Sequence, residues 1–349
     1  MQRAILFCGL WLALCAAPAA ALLIVDPGQG PVRLGGTSGG GLSGITHRSG
    51  NQFFSVSDSG GRMYDTRIDI DRATGLIEPQ PSLGEPITLN GGVDLEGIAY
   101  DPVTDTVLVS DENGPALRRH GLAGGPGIEL VVPVVFANAR ANRSLESLSL
   151  QPGSGALWTA NEEALDGDGP VSTTTGGTAV RITNLTSSRQ WAYITDPIRP
   201  LLANRSGVAD LAVLPDGRLL VLEREFSFGF RHRIYEVDVA GATEISSLAM
   251  LDSNRNNDLS DESWLPLAKG APLWEYTTLL ANFEGMSLGP RLDNGEMTLV
   301  LVSDDDRPAT QNLYMLHLHG QIPEPSTLAA LALGATGLVG RRFRSPWPC

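Results

Sequence analysis

The sequence predicts an all-β fold, a β-propeller, and three observations lead to this prediction. First, short runs rich in Val, Leu, Ile and Tyr alternate with turns of Gly, Pro, Asn and Asp, and the chain contains 40 glycines. Second, no segment between residues 22 and 322 shows sustained helical periodicity. Third, a short phrase with an acid recurs along the chain, and each copy is followed by a strand that ends in acids.

The repeated phrase decides among the all-β architectures. Counted from positions 43, 96, 146, 210 and 284, its copies are 53, 50, 64 and 74 residues apart, as expected for propeller blades with loop insertions. Each blade must solve the same packing problem around a central axis, whereas a sandwich has no reason to repeat. The copies are Leu42–Ile45, Leu95–Ala99, Leu145–Ser149, Ala209–Ala212 and Phe283–Ser287, and their closing segments are Val56–Asp58, Val109–Glu112, Thr159–Glu162, Val221–Arg224 and Val302–Asp305.

The spacing of the phrase also bears on the number of blades. Five copies are visible, and the long gap between Arg224 and Glu284 has room for a degenerate sixth, with strands near 233–239 and 244–248. We therefore expect a six-bladed propeller, and the sequence leaves five or seven blades open.

The N-terminus has the pattern of a secretory signal peptide. Arg3 precedes an apolar run over residues 4–17, and small residues at 19–21 precede Leu22. A lipoprotein signal at Cys15 is the alternative, although the preceding leucine is bulky for that motif. We expect signal peptidase to remove residues 1–21.

The C-terminus has the pattern of a second targeting signal. Pro323–Ser326 leads into an apolar stretch over 327–340, closed by a cluster of arginines at 341, 342 and 344. This order resembles the PEP-CTERM sorting signal of exported bacterial proteins. The resemblance implies transient membrane association through the C-terminal helix and cleavage by an exosortase; a plain C-terminal membrane anchor is the alternative. The chain thus divides into a signal peptide (1–21), a propeller domain (22–322) and a sorting signal (323–349), and we expect an extracellular or cell-surface protein.

Composition restricts the partners of the domain. The cysteines, at 8, 15 and 349, all lie outside residues 22–322, so disulfides do not hold the domain together. About 300 residues can bury one large core without them, and we expect a monomer. The net charge of −14 repels nucleic acid and anionic lipid, and it suits cations.

Propeller geometry predicts that the acidic residues of the repeat come together. If each phrase begins the innermost strand of a blade, Glu96, Glu146, Asp210 and Glu284 lie near one rim of the central channel. Converging carboxylates cannot all stay ionised without compensation. Calcium, which takes roughly six to eight oxygen ligands, is the most economical counter-ion. The predicted ligands from the closing segments are Asp111, Glu112, Glu162, Glu223 and Asp304.

Two further interpretations of these residues stay open. The acids can instead cap turns and accept hydrogen bonds from backbone amides between blades. Arg224 stands where other repeats have an acid, and its guanidinium is suited to bind a phosphoryl group. Its alternative role is a salt bridge to Glu223, to Glu225 or to a neighbouring blade.

A second resemblance covers residues 39–318 and depends on an ordered series of fragments. These are Glu96–Ile98, Glu146–Ser147, Asn161–Glu163, Leu222–Phe226, Arg233–Tyr235, Asn282–Met286 and Ser303–Asp305. The series resembles the phytase-like family, also described as having esterase-like activity of phytase. The resemblance implies a propeller that hydrolyses a phosphoester, with calcium as cofactor. The candidate catalytic residues at the matching positions are Glu96, Glu146, Arg224 and Glu284.

A separate candidate calcium site lies over residues 252–262. Oxygen side chains at its first, third and fifth places, an asparagine in sixth and an apolar residue in eighth imitate an EF-hand-like loop. Ser263 stands where a bidentate acid belongs, so an ordinary polar loop is the alternative. The predicted ligands are Asp252, Asn254, Asn256 and Asp258.

Taken together, the sequence predicts an exported propeller that binds calcium and hydrolyses a phosphorylated small molecule. Five histidines in the whole chain give few partners for a catalytic triad. The alternative is a non-catalytic extracellular propeller that binds matrix polysaccharide or a surface protein.

Overall fold

Residues 22–36, 40–200, 203–305, 311–320 and 322 are described by a computed structural model. They form strands throughout, with two short 3-10 helices, η1 (Val134–Asn138) and η2 (Leu259–Asp261). The all-β prediction is therefore confirmed. The predicted signal peptide and the segment 323–349 lie outside the described residues, and within those residues no helix has the length and apolar character needed to span a bilayer.

The strands follow one another along the whole domain. In chain order they are β1 (Leu23–Val25), β2 (Val32–Arg33), β3 (Leu42–Ser49), β4 (Gln52–Ser57), β5 (Arg62–Arg67), β6 (Ser82–Asn90), β7 (Leu95–Asp101), β8 (Thr106–Asp111), β9 (Ala116–Gly121), β10 (Gly125–Pro126), β11 (Ile128–Leu130), β12 (Ser149–Leu150), β13 (Leu157–Ala160), β14 (Ala179–Asn184), β15 (Arg189–Ile194), β16 (Ala203–Val213), β17 (Leu219–Ser227), β18 (Gly229–Val237), β19 (Trp274–Thr278), β20 (Phe283–Arg291), β21 (Met297–Ser303) and β22 (Asn312–His319).

These strands make five sheets, which are the blades of a propeller. Blade 1 contains β3 to β6 with β10, blade 2 contains β7 to β9 with β11, blade 3 contains β12 to β15, and blade 4 contains β16 to β19. Blade 5 contains β20 to β22 with β1 and β2. The innermost strands β3, β7, β12, β16 and β20 contact one another in that order, and β20 contacts β3, so the ring is closed.

Five blades, a count that the sequence left open, replace the six that we favoured. The segment expected to begin a sixth blade is β18, which pairs with β17 from Leu219↔Val237 to Ser227↔Gly229 and so extends blade 4. The segment 244–248 forms no strand and is joined to blade 3 by an isolated bridge between Glu244 and Trp191. The long gap therefore holds the outer half of blade 4 and an insertion.

Blade 5 is built from both ends of the domain, and this closes the ring. The N-terminal strand β1 pairs antiparallel with β22, with Leu23 opposite His319. Leu22 and Ile322 are both buried in one apolar cluster with Met297 and Leu318. Apolar burial and strand pairing therefore hold the two ends together.

The repeated phrase begins β3, β7 and β20, leads into β12 and lies within β16. Its glycines permit close packing between inner strands. A Cβ on Gly97 would lie 2.5 Å from the Leu148 backbone nitrogen in blade 3, and one on Gly285 would lie 2.8 Å from the Ser43 carbonyl oxygen in blade 1. Adjacent inner strands therefore meet backbone to backbone at the glycine of the phrase.

Strand pairing corrects the register of one copy. In blades 1, 2, 4 and 5, the second-strand residue just before the closing acid or arginine is paired with one residue of the inner strand. That inner-strand residue, which marks the start of the phrase, is Leu42, Leu95, Phe283 or Val208. In blade 4 the phrase is therefore Val208–Leu211, one residue earlier than predicted. Ala209 takes the place of the acid and Asp210 the place of the glycine.

The close approach at Gly97 gives a test of this packing. We expect Gly97→Ala to lower the free energy of unfolding by about 3 kcal/mol, because the new methyl group meets backbone atoms that cannot move aside. Gly121→Ala, where a Cβ meets no atom within 4 Å, is the matched control and should change stability by less than about 0.5 kcal/mol. Urea unfolding measures both; equal effects would contradict this account of the phrase.

Candidate active site

A cavity of about 660 Å³ opens at the rim where the inner strands begin. Its walls come from two sets of equivalent positions. The inner-strand ring comprises Glu96, Glu146 and Glu284, from the acid position of the phrase. The second-strand ring comprises Asp58, Glu112, Glu162, Arg224 and Asp304, one from each blade.

The structure brings together the four predicted catalytic residues. Glu96, Glu146, Arg224 and Glu284 all line this cavity. Three of the predicted metal ligands, Glu112, Glu162 and Asp304, line it as well. Asp210 does not belong to the lining set, because its carboxylate turns to blade 5, where it accepts a hydrogen bond from the Met286 backbone nitrogen at 2.6 Å.

Asp111 and Glu223 lie one residue before the second-strand ring. Successive side chains of a strand point to opposite sides, so these two do not line the cavity. Asp111 accepts hydrogen bonds from backbone amides, including that of Val93 at 3.1 Å, and pairs with Arg118 at 2.8 Å. For Asp111 the structure therefore shows hydrogen bonding to backbone amides and an ion pair.

The Glu223 carboxylate lies in a buried network between blades 3 and 4. It accepts from the Tyr193 hydroxyl at 2.6 Å, from Lys269 at 2.6 Å and from the Asp196 backbone nitrogen at 3.1 Å. Arg233 is a fourth partner at 3.1 Å. With these partners Glu223 is satisfied without a metal, so we do not carry it into the proposed site.

Arg224 bridges three blades. Its Nη2 lies 2.5 Å from Glu162 Oε1 of blade 3, and its other amine pairs with Glu284 of blade 5. Asn282 supports this arrangement by donating to Glu284 Oε1 at 2.9 Å. Burial acts to lower the pKa of Arg224, but the charges of Glu162 and Glu146 raise it, so the guanidinium stays charged.

Two arginines and one acid of the site were missed by sequence reasoning. Arg143 pairs with Glu162 at 2.7 Å, and Arg205 pairs with Glu163 at 2.8 Å. The acid that was missed is Asp94. Asp94, Arg143 and Arg205 all line the cavity. They stand one to three residues before the phrase in blades 2, 3 and 4, whereas the residues before the phrase in blades 1 and 5 are uncharged, so no repeat marked these positions.

The arginines of the cavity and one group of its carboxylates come from different blades. The three arginines come from blades 3 and 4, whereas a compact group of carboxylates, Asp94, Glu96 and Glu112, comes from blade 2. One oxygen from each of these acids lies within 4.8 Å of the others. Glu96 is 8% exposed and makes no hydrogen bond or ion pair with any residue that the structure describes.

A second group shares Glu112 with the first. Glu112, Glu146 and Glu162 also present oxygens within 4.8 Å of one another. All are buried, and the Glu112 Oε1 atom accepts a hydrogen bond from the Ser144 backbone nitrogen at 2.7 Å. Glu162 is already paired with Arg224 and Arg143, so it is the blade 2 group that combines hard oxygen donors, low exposure and surplus negative charge, which together fit a cation such as Ca²⁺.

Burial and mutual repulsion determine the protonation of these acids. Burial, followed by the charges of Glu112 and Asp94, raises the pKa of Glu96 well above its usual value. Burial and the charges of Glu162, Glu96 and Glu112 do the same to the pKa of Glu146. Burial also raises the pKa of Glu112, which a hydrogen bond from Glu146 opposes. The Glu146 carboxyl therefore keeps its proton to a higher pH than an ordinary glutamate does.

The loop 252–262 is ordered by its own hydrogen bonds. Asp252 accepts from the backbone nitrogens of Asn256 at 3.1 Å and Asn257 at 2.8 Å. The side-chain amides of Asn254 and Asn256 both donate to Asp261. Within the described part of the chain, the groups of three ligand atoms lying within 4.8 Å of one another include no residue of this loop. Calcium binding here stays a prediction.

Comparison with known proteins follows the same division of the chain. Residues 37–307 match the family described as Phytase-like, esterase-like activity of phytase, and residues 321–345 match the PEP-CTERM protein-sorting motif. Both resemblances inferred from the sequence are confirmed. No curated protein matches the chain.

Similarity to solved structures is weak. The hydrazine synthase of Kuenenia stuttgartiensis is 13% identical with a TM-score of 0.34; the match covers 77% of this chain but only 58% of that one. The WD40 β-propeller domain of Doa1 is 11% identical, with 82% and 97% covered and a TM-score of 0.34. A streptogramin B lyase is 10% identical, with 86% and 98% covered and a TM-score of 0.33. These likenesses are too weak to support an inference about function.

The raised pKa of Glu146 predicts a specific dependence of stability on pH. A carboxyl whose pKa is higher in the folded state stabilises the fold below its unfolded pKa, near 4.5, and this contribution is lost as pH rises through the folded pKa. In the presence of chelator, we expect Glu146→Gln to melt at a higher temperature than the parent protein at pH 8, and the difference to disappear at pH 4.5. The exposed Glu85→Gln is the control. A constant offset at both pH values would contradict the pKa assignment.

Proposed function

Because the chain belongs to the phytase-like family, we propose that its cavity hydrolyses a phosphoester outside the cytoplasm with the help of bound calcium. One observation carries the proposal: the cavity holds three arginines and a compact group of carboxylates, one of which has no hydrogen-bond or ion-pair partner among the described residues. Phosphoryl transfer requires positive charge around the phosphoryl oxygens and a proton donor for the leaving group. The cavity supplies candidates for each.

Asp94, Glu96 and Glu112 are the residues proposed to hold calcium, with Glu146 and Glu162 next to them. Bound calcium would supply positive charge to the phosphoryl oxygens and relieve the repulsion among these carboxylates. Without a cation, burial and the neighbouring acids raise the pKa of Glu96 and of Glu112, so both carboxyls lose their protons at a higher pH than usual.

Arg205 is the proposed phosphoryl-binding residue; Arg143, which pairs with Glu162 at 2.7 Å, shares its partner Glu163. The Arg205 side chain is 46% exposed, and its single described partner is Glu163. Guanidinium groups bind phosphoryl oxygens through two parallel hydrogen bonds. Arg224, which sequence reasoning placed in this role, is already paired with Glu162 and Glu284, so we assign it to positioning these two acids.

Glu146 is the proposed proton donor. Its pKa is raised well above the usual value, so the carboxyl carries a proton at a pH where an ordinary glutamate does not. It lines the cavity between Glu112 and Glu162. In the proposed step, a water molecule forms a new bond to phosphorus while the ester P–O bond breaks. The leaving oxygen takes the proton of Glu146, and the proton released by the attacking water passes to an ionised carboxylate or to solvent.

The sorting motif and the fold together suggest how the protein is presented. PEP-CTERM motifs imply processing by the exosortase system. Ile322 lies at the rim opposite the cavity, where its carbonyl accepts a hydrogen bond from Arg291 at the end of β20. While the sorting segment is still attached at a membrane, the cavity of an extracellular or cell-surface monomer would therefore open away from the lipid.

Calcium binding is tested by melting. At a calcium concentration of about 100 times Kd, binding adds about 2.7 kcal/mol, so we expect the melting temperature of the parent protein to rise by roughly 5 °C. Glu96→Gln should abolish most of this rise, whereas Asp252→Asn, in the loop, should retain it. If Asp252→Asn loses the rise and Glu96→Gln retains it, calcium binds in the loop and not in the cavity. If calcium does not raise the melting temperature of the parent protein, the proposal that the protein binds calcium is wrong.

Hydrolysis is tested by phosphate release from phytate and from p-nitrophenyl phosphate, with calcium and with chelator. We expect calcium-dependent turnover, and a decrease in kcat of about 10²-fold or more in Glu146→Gln, because a glutamine cannot supply a proton. Glu85→Gln should retain full turnover.

Two results of the turnover assay would contradict the proposal. Full turnover in Glu146→Gln would remove this residue from the mechanism. A calcium-dependent melting shift without any turnover would instead identify a non-catalytic binding propeller, the alternative that takes matrix polysaccharide or a surface protein.

A further inference from the structure

Blade 4 extends beyond the rim of the cavity, and its extension has aromatic side chains. Strand β17 continues past the second-strand ring to Ser227 and turns into β18, so the hairpin tip overhangs the mouth. Phe226 is 43% exposed and Phe228 87% exposed, which is unusual for a large apolar side chain. Phe226 and Phe230 line the cavity, whereas Phe228 does not.

Strand pairing places one arginine and two phenylalanines in a single row. Arg205 of β16 is directly opposite Phe226 of β17, and Phe226 is directly opposite Phe230 of β18. Directly opposed residues of antiparallel strands project from the same face and lie about 5 Å apart. A guanidinium that can bind a phosphoryl group is therefore followed across the sheet by two aromatic rings.

The aromatic pair is held rigidly. The ring centroids of Phe226 and Phe230 are 5.3 Å apart, and Phe230 stacks on the buried His232 at 6.1 Å. His232 accepts a hydrogen bond from the Phe283 backbone nitrogen at 3.0 Å, which ties the hairpin to blade 5. Glu225, which lies between Arg224 and Phe226 in the sequence, is buried and paired with Arg199 at 2.5 Å. A surface held in this way needs little reorganisation to bind a flat ligand.

We propose, as an extension of the hydrolase function above, that Phe226 and Phe230 form a subsite for the apolar ring of the substrate. The preferred substrate class is then a phosphomonoester whose leaving group contains an aromatic or similarly flat apolar ring. The phosphoryl group lies toward Arg205 and the acids, and the ring lies on the phenylalanine pair. A polyphosphorylated, ring-hydroxyl substrate gains nothing from these side chains, because they offer no charge and no hydrogen bond.

Binding of phosphonates, which are not hydrolysed, tests this subsite separately from catalysis. Isothermal titration calorimetry of the full chain in calcium compares phenylphosphonate with methylphosphonate, which has the same charged group without a ring. We expect phenylphosphonate to bind at least about tenfold more tightly, since the ring buries apolar surface. Phe226→Ala should reduce this preference to less than about threefold. Phe228→Ala, two residues away on the same hairpin but outside the cavity, should retain it.

The possible outcomes separate the two proposals. Equal affinity for both phosphonates, no binding of either, or an unchanged preference in Phe226→Ala overturns the subsite, even if turnover is observed. Loss of the preference in Phe228→Ala as well places ring binding on the outer surface and also overturns it. A ring preference that depends on Phe226 supports the subsite even if no phosphate is ever released. Melting curves of both variants confirm that the fold is retained.

Discussion

The close approach of the five inner strands is the constraint on which the rest of the structure depends. At Gly44, Gly97 and Gly285 no room exists for a side chain, because the neighbouring inner strand lies directly against the backbone. The residue just before this glycine position in each blade is consequently brought close to its equivalents in the other blades, around the channel. In three blades that residue is a glutamate, so the same packing that closes the ring concentrates negative charge at one mouth.

Blade 4 breaks this repetition, and the break organises the charge of the site. Its phrase has Ala209 where the other copies have an acid or a serine, and its second strand has Arg224 where the others have an acid. One cation then neutralises carboxylates from blades 3 and 5, which leaves blade 2 with the uncompensated group around Glu96. This division of charge between blades follows from one changed copy of a repeat. The same blade provides the longer hairpin, so recognition and charge asymmetry have a common origin.

The sequence predicted the features that repeat and missed those that do not. A recurring phrase was enough to predict the propeller and to bring Glu96, Glu146, Arg224 and Glu284 to one place, because equivalent positions of blades share a position around the axis. The count of blades was less predictable, since the pairing of β18 with β17 has no signature in composition. The register of blade 4 was misplaced by one residue because Asp210 follows Ala209 in a degenerate copy with no glycine to mark the close approach.

The site residues outside the phrase could not be identified from the sequence for a related reason. Arg143, Arg205 and Asp94 differ in type from blade to blade, so no repeat identifies them, and Phe226 resembles any apolar strand residue until its exposure is known. Asp111 and Glu223 were chosen as metal ligands because they are acids next to the ring. The alternation of side chains along a strand sends them to the opposite face, where one accepts from backbone amides and the other from a tyrosine and a lysine.

The acidic mouth also couples the stability of the fold to the ionisation of its carboxylates. Glu96 and Glu146 are buried with raised pKa values, so at neutral pH ionisation of this group works against folding in the absence of a cation. A cation that binds there adds stability and completes the charge distribution in the same step. Calcium modules outside cells operate with dissociation constants of about 10⁻⁴ to 10⁻³ M, so a weak site of this kind is sufficient. On the proposed function, a closed ring without disulfides therefore gains stability and its reactive charge distribution together when calcium binds.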